Sequence, residues 1–202
     1  MASTEIIKAL AVTARLMGTA LDEDAARIFA EDLSAYPAPQ VLGALKRCRR
    51  EVRGRLTVAD VISRLDDGRP GVEEAWSMIP RDEHGSVVWT AEMAFAFGVA
   101  VKLLEAGDEI AARMAFKETY TNAVQQARDE ARPVSWTPSY GFDKGGRAAA
   151  VRDAAEKGRI GRDRALGLLA HIGPEYADQH RAALEGPQSV SALLPKFGDD
   201  AA

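Results

Sequence analysis

The stretch ALKRCRREVRGRLTVADVISRL, residues 44–65, predicts two helices separated by a short break. Leu45 and Cys48 recur at helical spacing on one side of the first segment. A glycine ends that segment, and Thr57 is a typical N-cap for the next one, with Asp60 three residues later at the second position of a capping box. We therefore expect each of the two helices to have one apolar face.

The same spacing of three and four continues on both sides of this stretch and predicts an all-α multi-helix bundle. No alternating strand pattern of useful length appears. Residues 90–132 form the longest helical stretch, and EAGDE at 105–109 divides it into a long central helical hairpin. The predicted organisation is an N-terminal four-helix unit (1–67), a central helical hairpin region (71–132), a linker (133–146), and a small C-terminal helical unit with a short flexible tail (147–202).

The first arm of the predicted hairpin is almost wholly apolar. It contains Met93, Phe95, Phe97 and Val99 among other apolar residues. A helix that is apolar on all sides is typical of a buried position. We therefore expect this arm to be the most buried helix of the protein.

Composition and charge describe an ordinary globular chain. Net charge is −4, and the acidic excess lies in residues 71–132, which carry 6 basic and 11 acidic side chains. Cys48 is the only cysteine, which suits a reducing compartment. No apolar run approaches the length of a membrane span, and the N-terminus lacks the form of a signal peptide. The expected location is cytoplasmic, in the host cell if the chain is phage-encoded.

No residue pattern points to catalysis. His84, His171 and His180 do not have metal-ligand spacing, and Cys48 lies on an apolar helix face without a neighbouring histidine. We expect no enzyme activity, metal, cofactor or small-molecule substrate. The segment GFDKGGR at 141–147 could place backbone N–H groups around an anion, but it matches no phosphate-binding motif, and a glycine-rich helix entry explains it more simply.

A cationic face on the third helix is the main candidate binding site. Six of the ten residues from 46 to 55 are basic: Lys46, Arg47, Arg49, Arg50, Arg53 and Arg55. They could contact nucleic-acid phosphates or an acidic protein surface. They could also form a solvated face that the acidic residues of the preceding helix offset.

The predicted linker holds a second candidate site. SWTPSYGF, residues 135–142, contains Trp136, Tyr140 and Phe142 in a segment with little helical regularity. Exposed aromatic rings in a loop often bind partners. Large aromatic residues are also commonly buried, so the rings could instead pack onto the hairpin and fix the linker in place.

The first 65 residues, above all FAEDLSAYPAPQVLGALKRCRREVRGRLTVADVISRL at 29–65, resemble the N-terminal helical domain of bacteriophage replicative-helicase loaders, the loader-and-inhibitor family. The resemblance implies helical packing in this region and a replicative helicase as the partner. No nucleotide-binding motif of the AAA+ type is present, so a loader of this kind would be an ATP-independent adaptor. The matching positions are Leu33, Tyr36, Pro37, Val41, Ala44, Leu45, Arg47, Leu56, Thr57, Ala59, Asp60 and Ile62.

These observations lead to a non-enzymatic function based on surfaces. We expect a phage or prophage DNA-replication adaptor that binds a replicative helicase, with nucleic acid as a further partner and no membrane contact. One alternative is a phage-encoded inhibitor that occludes the surface of a host defence protein or host enzyme. Another is a small DNA-binding regulator that uses the third helix.

Overall fold

The structure, a computed structural model, describes residues 4–185 and confirms the all-α class. Within these residues the chain forms ten helices and one two-stranded sheet. The predicted flexible tail, from Gly186 onward, lies outside the described residues. The elements in chain order are α1 (Thr4–Leu16), α2 (Glu23–Asp32), α3 (Ala38–Glu51), α4 (Val58–Ile62), α5 (Val72–Met78), β1 (Val87–Thr90), α6 (Ala91–Glu105), α7 (Glu109–Asp129), β2 (Trp136–Ser139), α8 (Lys144–Glu156), α9 (Arg162–Ile172) and α10 (Pro174–Glu185).

The chain divides into two compact units. The first contains the described residues up to Ile79 together with Trp89–Thr137, and the second contains Pro80–Val88 with the described residues from Pro138 on. The first unit thus takes in the described part of the predicted N-terminal unit and most of the predicted central hairpin region, whereas Pro80–Val88 of that region belongs to the second unit. The division falls inside both strands, because β1 and β2 each have residues in both units.

Side-chain caps begin several of these helices where the sequence places them. Asp22 accepts a hydrogen bond from the backbone N–H of Ala25 at 2.7 Å and begins α2. Thr57 and Asp60 form a complete capping box at α4, since each side chain accepts from the backbone N–H of the other residue. Such caps satisfy backbone donors that have no partner inside the helix, and so they fix where each helix starts.

The first unit holds an apolar core built from α1 to α4. Leu10, Leu33, Leu45, Cys48 and Val61 have no solvent exposure in it. Each large apolar side chain buried in this way stabilises the fold by roughly 1.5–3 kcal/mol. The spacing of apolar residues in the opening stretch therefore predicts the buried face of α3 correctly.

The second unit is built on close packing of α8, α9 and α10. Its buried residues include Val151 on α8, Leu169 on α9 and Ala177 on α10. Small side chains such as Ala148 and Ala154 let the helices approach one another closely. Helical patterns in the sequence at about 147–157, 162–172 and 174–184 correspond to these three helices, and α8 starts three residues before its pattern.

Two predictions about local structure were wrong. The sequence showed no strand, yet β1 and β2 pair, because four residues each are too few to display an alternating pattern. The first hairpin arm, α6, is not the most buried helix. Phe95 is 64% exposed and Val99 is 47% exposed, since α6 packs on α7 through a face of small residues that includes Ala96 and Ala100.

None of the described helices has the length and apolar character that crossing a membrane requires.

Candidate functional site

The cationic face predicted from the sequence lies on α3 and the turn that follows it. The opposite face of α3 is buried through Val41, Ala44, Leu45 and Cys48. Because this apolar face packs on α1 and α4, the remaining side of the helix is turned to solvent. All six predicted basic residues are exposed.

Two of the six basic residues are held by contacts within the first unit. Arg47 forms an ion pair with Asp66, with 3.0 Å between Nη2 and Oδ2, and also donates to the backbone carbonyl of Arg64. Arg49 donates from Nη1 to the hydroxyl of Thr13 on α1 at 2.9 Å. These two side chains therefore lean to opposite sides of α3.

The other four basic residues make no hydrogen bond or ion pair with any residue of 4–185. Lys46 and Arg50 lie one turn apart on α3, between the directions taken by Arg47 and Arg49. Lys46, Arg50, Arg53 and Arg55 are called the basic surface below. They are the members of the predicted set that are free to meet a ligand.

No acidic residue among 4–185 forms an ion pair with the basic surface. Glu23 and Asp24 of α2 pair with Arg27 on their own helix, at 3.6 and 3.3 Å. Glu51, at the end of α3, pairs with Arg64 at 2.9 Å. Within the described residues, no acidic side chain of α2 forms an ion pair with α3.

Two of the six predicted basic residues also have a structural effect at the end of α3. The last turn of α3 carries Arg49 and Arg50, where unsatisfied carbonyl groups give the helix a partial negative charge. Cations at this end stabilise a helix by roughly 0.3–1 kcal/mol. Helix stabilisation therefore explains why basic residues occur in the last turn of α3. It does not explain Arg53 and Arg55, which lie after the helix.

The second candidate site is only partly at the surface. Trp136 is 5% exposed, which contradicts its expected role as a partner-binding ring. Its position in β2, rather than in an open linker, explains the burial. Tyr140 is 36% exposed and Phe142 is 69% exposed, so these two rings remain available at the surface of the second unit.

Backbone contacts within the second unit fix the loop that carries these rings. The N–H of Gly141 donates to Ser86 Oγ at 3.0 Å, and the N–H of Phe142 donates to the carbonyl of Glu83 at 3.1 Å. Arg147 donates from Nε to the carbonyl of Gly141 at 2.7 Å. Residues 140–142 are called the aromatic loop below, and they present Phe142 from a fixed backbone.

Glycine is required at the centre of the aromatic loop. A Cβ atom on Gly141 would lie 2.3 Å from the carbonyl oxygen of His84, far inside van der Waals contact. The imidazole of His84 also meets the Phe142 ring edge-on, with 6.2 Å between ring centroids. The close approach of Gly141 to the backbone of His84 and the contact between the His84 and Phe142 rings together determine the position of Phe142.

The anion site considered at 141–147 is already filled by a side chain of the protein. Asp143 is the N-cap of α8, and its carboxylate accepts from the N–H groups of Gly145 at 3.0 Å and Gly146 at 2.7 Å. These are the donors that a phosphate would have used. The glycine-rich segment is therefore a helix entry.

The remaining reactive side chains are dispersed. Cys48 is buried, and burial raises the pKa of its thiol, which disfavours the reactive thiolate. His180 is also buried, in α10. Among residues 4–185, no group of three or more His, Cys, Asp or Glu side chains could hold a metal ion.

Sequence reasoning missed a buried ionic network in the first unit. Arg69 donates to Asp67 at 2.7 Å and to Glu92 at 3.0 Å, and Arg128 donates to Asp67 at 3.0 Å. Arg69 also donates to the backbone carbonyl of Arg132. These residues lie far apart in the sequence, so no local pattern could have revealed that they meet.

The network changes the ionisation of both acidic members. Burial alone would raise the pKa of Asp67, but hydrogen bonds from Arg128 and Arg69 outweigh it and lower that pKa below its ordinary value. Burial likewise opposes ionisation of Glu92, and the hydrogen bond from Arg69 lowers the pKa of that carboxyl. Both groups are therefore charged at neutral pH, and their role is structural.

Comparison with known proteins gives no further guide to this site. No protein-family model, curated protein or solved structure matches the chain.

Proposed function

We propose that the chain is a non-enzymatic phage or prophage replication adaptor. It binds nucleic acid through the basic surface and a replicative helicase through the aromatic loop. The observation that carries the proposal is that Lys46, Arg50, Arg53 and Arg55 are exposed and have no partner within residues 4–185. The helicase as partner is supported by the resemblance of about the first 65 residues to phage helicase loaders.

The basic surface suits the phosphate backbone of a nucleic acid. Lysine and arginine bind phosphates with an affinity that comes mainly from released counterions and depends little on base sequence. Four such contacts predict a decrease of log K with log salt with a slope of about −3.6 on duplex DNA. Within residues 4–185, no set of base-reading side chains lies beside the basic surface, so the proposed binding is not sequence-specific.

The aromatic loop suits a protein partner. Aromatic anchors that are already ordered before binding lose little conformational entropy, and they often carry much of the binding energy of an interface. Phe142 combines high exposure with a backbone held by Ser86 and Glu83. Tyr140 lies beside it, with the guanidinium of Arg147 at 5.8 Å from the ring centroid.

Nucleic-acid binding is tested by fluorescence anisotropy with labelled single- and double-stranded oligonucleotides over a series of salt concentrations. The variant Arg50→Gln/Arg53→Gln removes two free cations from the basic surface. We expect it to weaken binding and to reduce the salt slope by about 2, since each phosphate contact contributes about 0.9. Because both side chains are exposed, the variant should fold normally.

Arg27→Gln/Arg113→Gln is the matched control. It removes the same formal charge from the first unit, but these two arginines are already paired with Glu23 and Glu73 respectively. Affinity and salt slope should stay close to those of the unmodified protein. Equal losses in both variants, or no binding by the unmodified protein, would reject the basic surface as a nucleic-acid site.

Helicase binding is tested separately with a purified hexameric replicative helicase from the same host or phage. Co-sedimentation of the complex supports the proposal, and Phe142→Ala should abolish it while leaving DNA binding unchanged. DNA binding without any helicase complex would replace the adaptor with a DNA-binding regulator. A helicase complex that Phe142→Ala does not affect would exclude the aromatic loop as the contact.

A further inference from the structure

A cavity lies between the start of α6 and the second half of α7, inside the first unit. Its volume is about 560 Å³, within the range of about 300–1,000 Å³ that ligand sites usually have. The lining combines two small residues, Ala91 and Ala123, with one aromatic ring and several polar side chains. It is called the α6/α7 cavity below.

Helix geometry divides the lining of this cavity into two levels. Counted from the caps at the loop that joins the two helices, Phe95 is eleven residues into α6 and Glu118 is ten residues into α7. At about 1.5 Å per residue, both therefore lie about 15–16 Å from that loop. Glu92 and Asn122 are each fourteen residues from the same caps, or about 21 Å, and so form a second level about 5–6 Å further along.

The first level offers an aromatic ring and a free carboxylate. Phe95 is 64% exposed, and the exposed side chain of Glu118 makes no hydrogen bond or ion pair with any residue of 4–185. A carboxylate and the face of a phenyl ring both attract an ammonium group, through charge-assisted hydrogen bonds and a cation–π contact. This level therefore favours a cation.

The second level offers hydrogen-bond acceptors. Glu92 is 7% exposed, and its Oε1 accepts from Arg69, whereas its buried Oε2 has no hydrogen-bond partner in the described part of the chain. The side-chain amide of Asn122 has no partner there either. A buried acceptor is unfavourable unless a water or a ligand supplies a donor. Since Arg69 already balances the charge of Glu92, this level requires a donor rather than a second positive charge.

Of the residues 4–185 that line the cavity, Arg132 alone is a cation, and it lies away from the first level. Glu118 is about 16 Å along α7 from Asp129, the last residue of the helix, and Arg132 follows that end. Arg132 Nε is also 2.7 Å from Glu130 Oε2, so a carboxylate already balances its charge. The unbalanced charge in the lining is therefore the negative charge of Glu118.

We infer that the α6/α7 cavity binds a small primary amine that carries a second hydrogen-bond donor. The ammonium group lies between the Phe95 ring and the Glu118 carboxylate, and Glu92 Oε2 accepts from the second donor, an N–H or O–H group. A linker of four carbon atoms spans the distance between the two levels. The cavity shares no residue with the basic surface or the aromatic loop, so this inference is independent of the proposed function.

The site is tested by titrating the isotope-labelled full chain with 4-aminobutanol and following amide chemical shifts by NMR, which suits the weak binding of so small a ligand. Butylamine lacks the second donor, and n-butanol lacks the ammonium group. We expect shift changes in residues 91–95 and 118–126. Butylamine should bind about tenfold more weakly, because a hydrogen bond to a charged acceptor is lost. Binding of n-butanol should not be measurable.

Variants assign the ammonium position. Glu118→Gln removes the free carboxylate and should weaken binding of the amino alcohol about two- to fivefold, as expected for an exposed ion pair. Phe95→Leu removes the ring but keeps an apolar side chain, and should weaken binding by about the same factor. The matched control Glu105→Gln removes an equally exposed carboxylate near the end of α6, outside the cavity, and should leave the affinity unchanged.

Three results would overturn the inference. They are the absence of shift changes around the cavity, equal affinity for 4-aminobutanol and butylamine, and equal losses in Glu118→Gln and Glu105→Gln. Equal losses in the two variants would mean that amines only associate with the acidic surface of the hairpin. Far-UV circular dichroism establishes that each variant is folded.

Discussion

Arg69 and Glu92 form an ion pair inside the first unit, with 3.0 Å between Nη2 and Oε1 and side chains that are 1% and 7% exposed. Arg69 precedes α5, and Glu92 lies in the first turn of α6. The pair therefore connects the segment between α4 and α5 to the start of α6, the first helix of the hairpin. Asp67 extends the connection to Arg128 near the end of α7.

Removal of one partner from this network should destabilise the first unit strongly. Glu92→Ala leaves the guanidinium of Arg69 buried with only Asp67 and a backbone carbonyl as partners. Breaking a buried pair in this way typically costs about 3–5 kcal/mol of unfolding free energy. Chemical denaturation followed by circular dichroism measures the loss.

Glu118→Ala is the control for this prediction, because Glu118 is an exposed glutamate on the adjoining helix α7. Its effect should be within about 0.5 kcal/mol, the usual range for an exposed substitution. Similar stability of the two variants would show that the buried pair contributes little.

Stability should decrease as the pH falls into the acidic range. The pKa values of Asp67 and Glu92 in the folded protein lie below their ordinary values of 3.8 and 4.5. The stability that these carboxylates contribute is fully present above the ordinary pKa and is lost as the pH falls through the folded pKa. Denaturant titrations between about pH 7 and about pH 3 measure this loss.

The variant Asp67→Asn isolates the contribution of one group to this pH dependence. It should be less stable than the unmodified protein at neutral pH and should lose less additional stability on acidification. If the curves of unfolding free energy against pH were parallel for the two proteins, other carboxylates would be the cause of the acid sensitivity.

Local signals explain why much of the fold could be predicted from the sequence. The capping box at Thr57 lies within three residues of the donors that it satisfies, so the sequence alone shows it, and the caps at Asp22 and Thr90 are equally local. The same holds for the cationic side of α3, whose direction is set by the buried residues Leu45 and Cys48. Such patterns can be recognised without knowing which distant residues are in contact.

The remaining features depend on contacts between distant residues. Arg69 and Glu92 are 23 positions apart, and the sequence gives no sign that they pair. Helix α6 is apolar on nearly every side, so its hydrophobic pattern does not show which side faces α7, and Phe95 was wrongly expected to be buried. The division of the basic residues into held and free side chains likewise depends on Thr13 and Asp66, which lie outside α3.

Loss of the capping box should weaken α4. Thr57→Ala removes the oxygen that accepts from the N–H of Asp60 at 3.1 Å. Such N-cap substitutions typically cost about 1 kcal/mol. The free energy of unfolding measures the cost, and Thr57→Ser, which keeps the hydroxyl, should retain most of the stability. A loss of equal size in Thr57→Ser would assign the effect to the lost methyl group instead.

Substitution at the centre of the aromatic loop should displace Phe142. Gly141→Ala places a Cβ atom 2.3 Å from the carbonyl oxygen of His84, so the backbone must shift and the hydrogen bond to Ser86 weakens. We expect a destabilisation of about 1–3 kcal/mol, typical of overpacking, with amide chemical-shift changes in residues 83–86 and at Phe142.

Gly167→Ala is the matched control for this change. Gly167 lies inside α9, and a Cβ there would meet nothing within 4 Å. Because alanine favours helix more than glycine does, this variant should be more stable by roughly 0.5–1 kcal/mol. The same substitution should therefore act with opposite sign at the two positions. Stabilisation at Gly141 would mean that the loop tolerates a side chain and that its backbone does not fix the Phe142 ring.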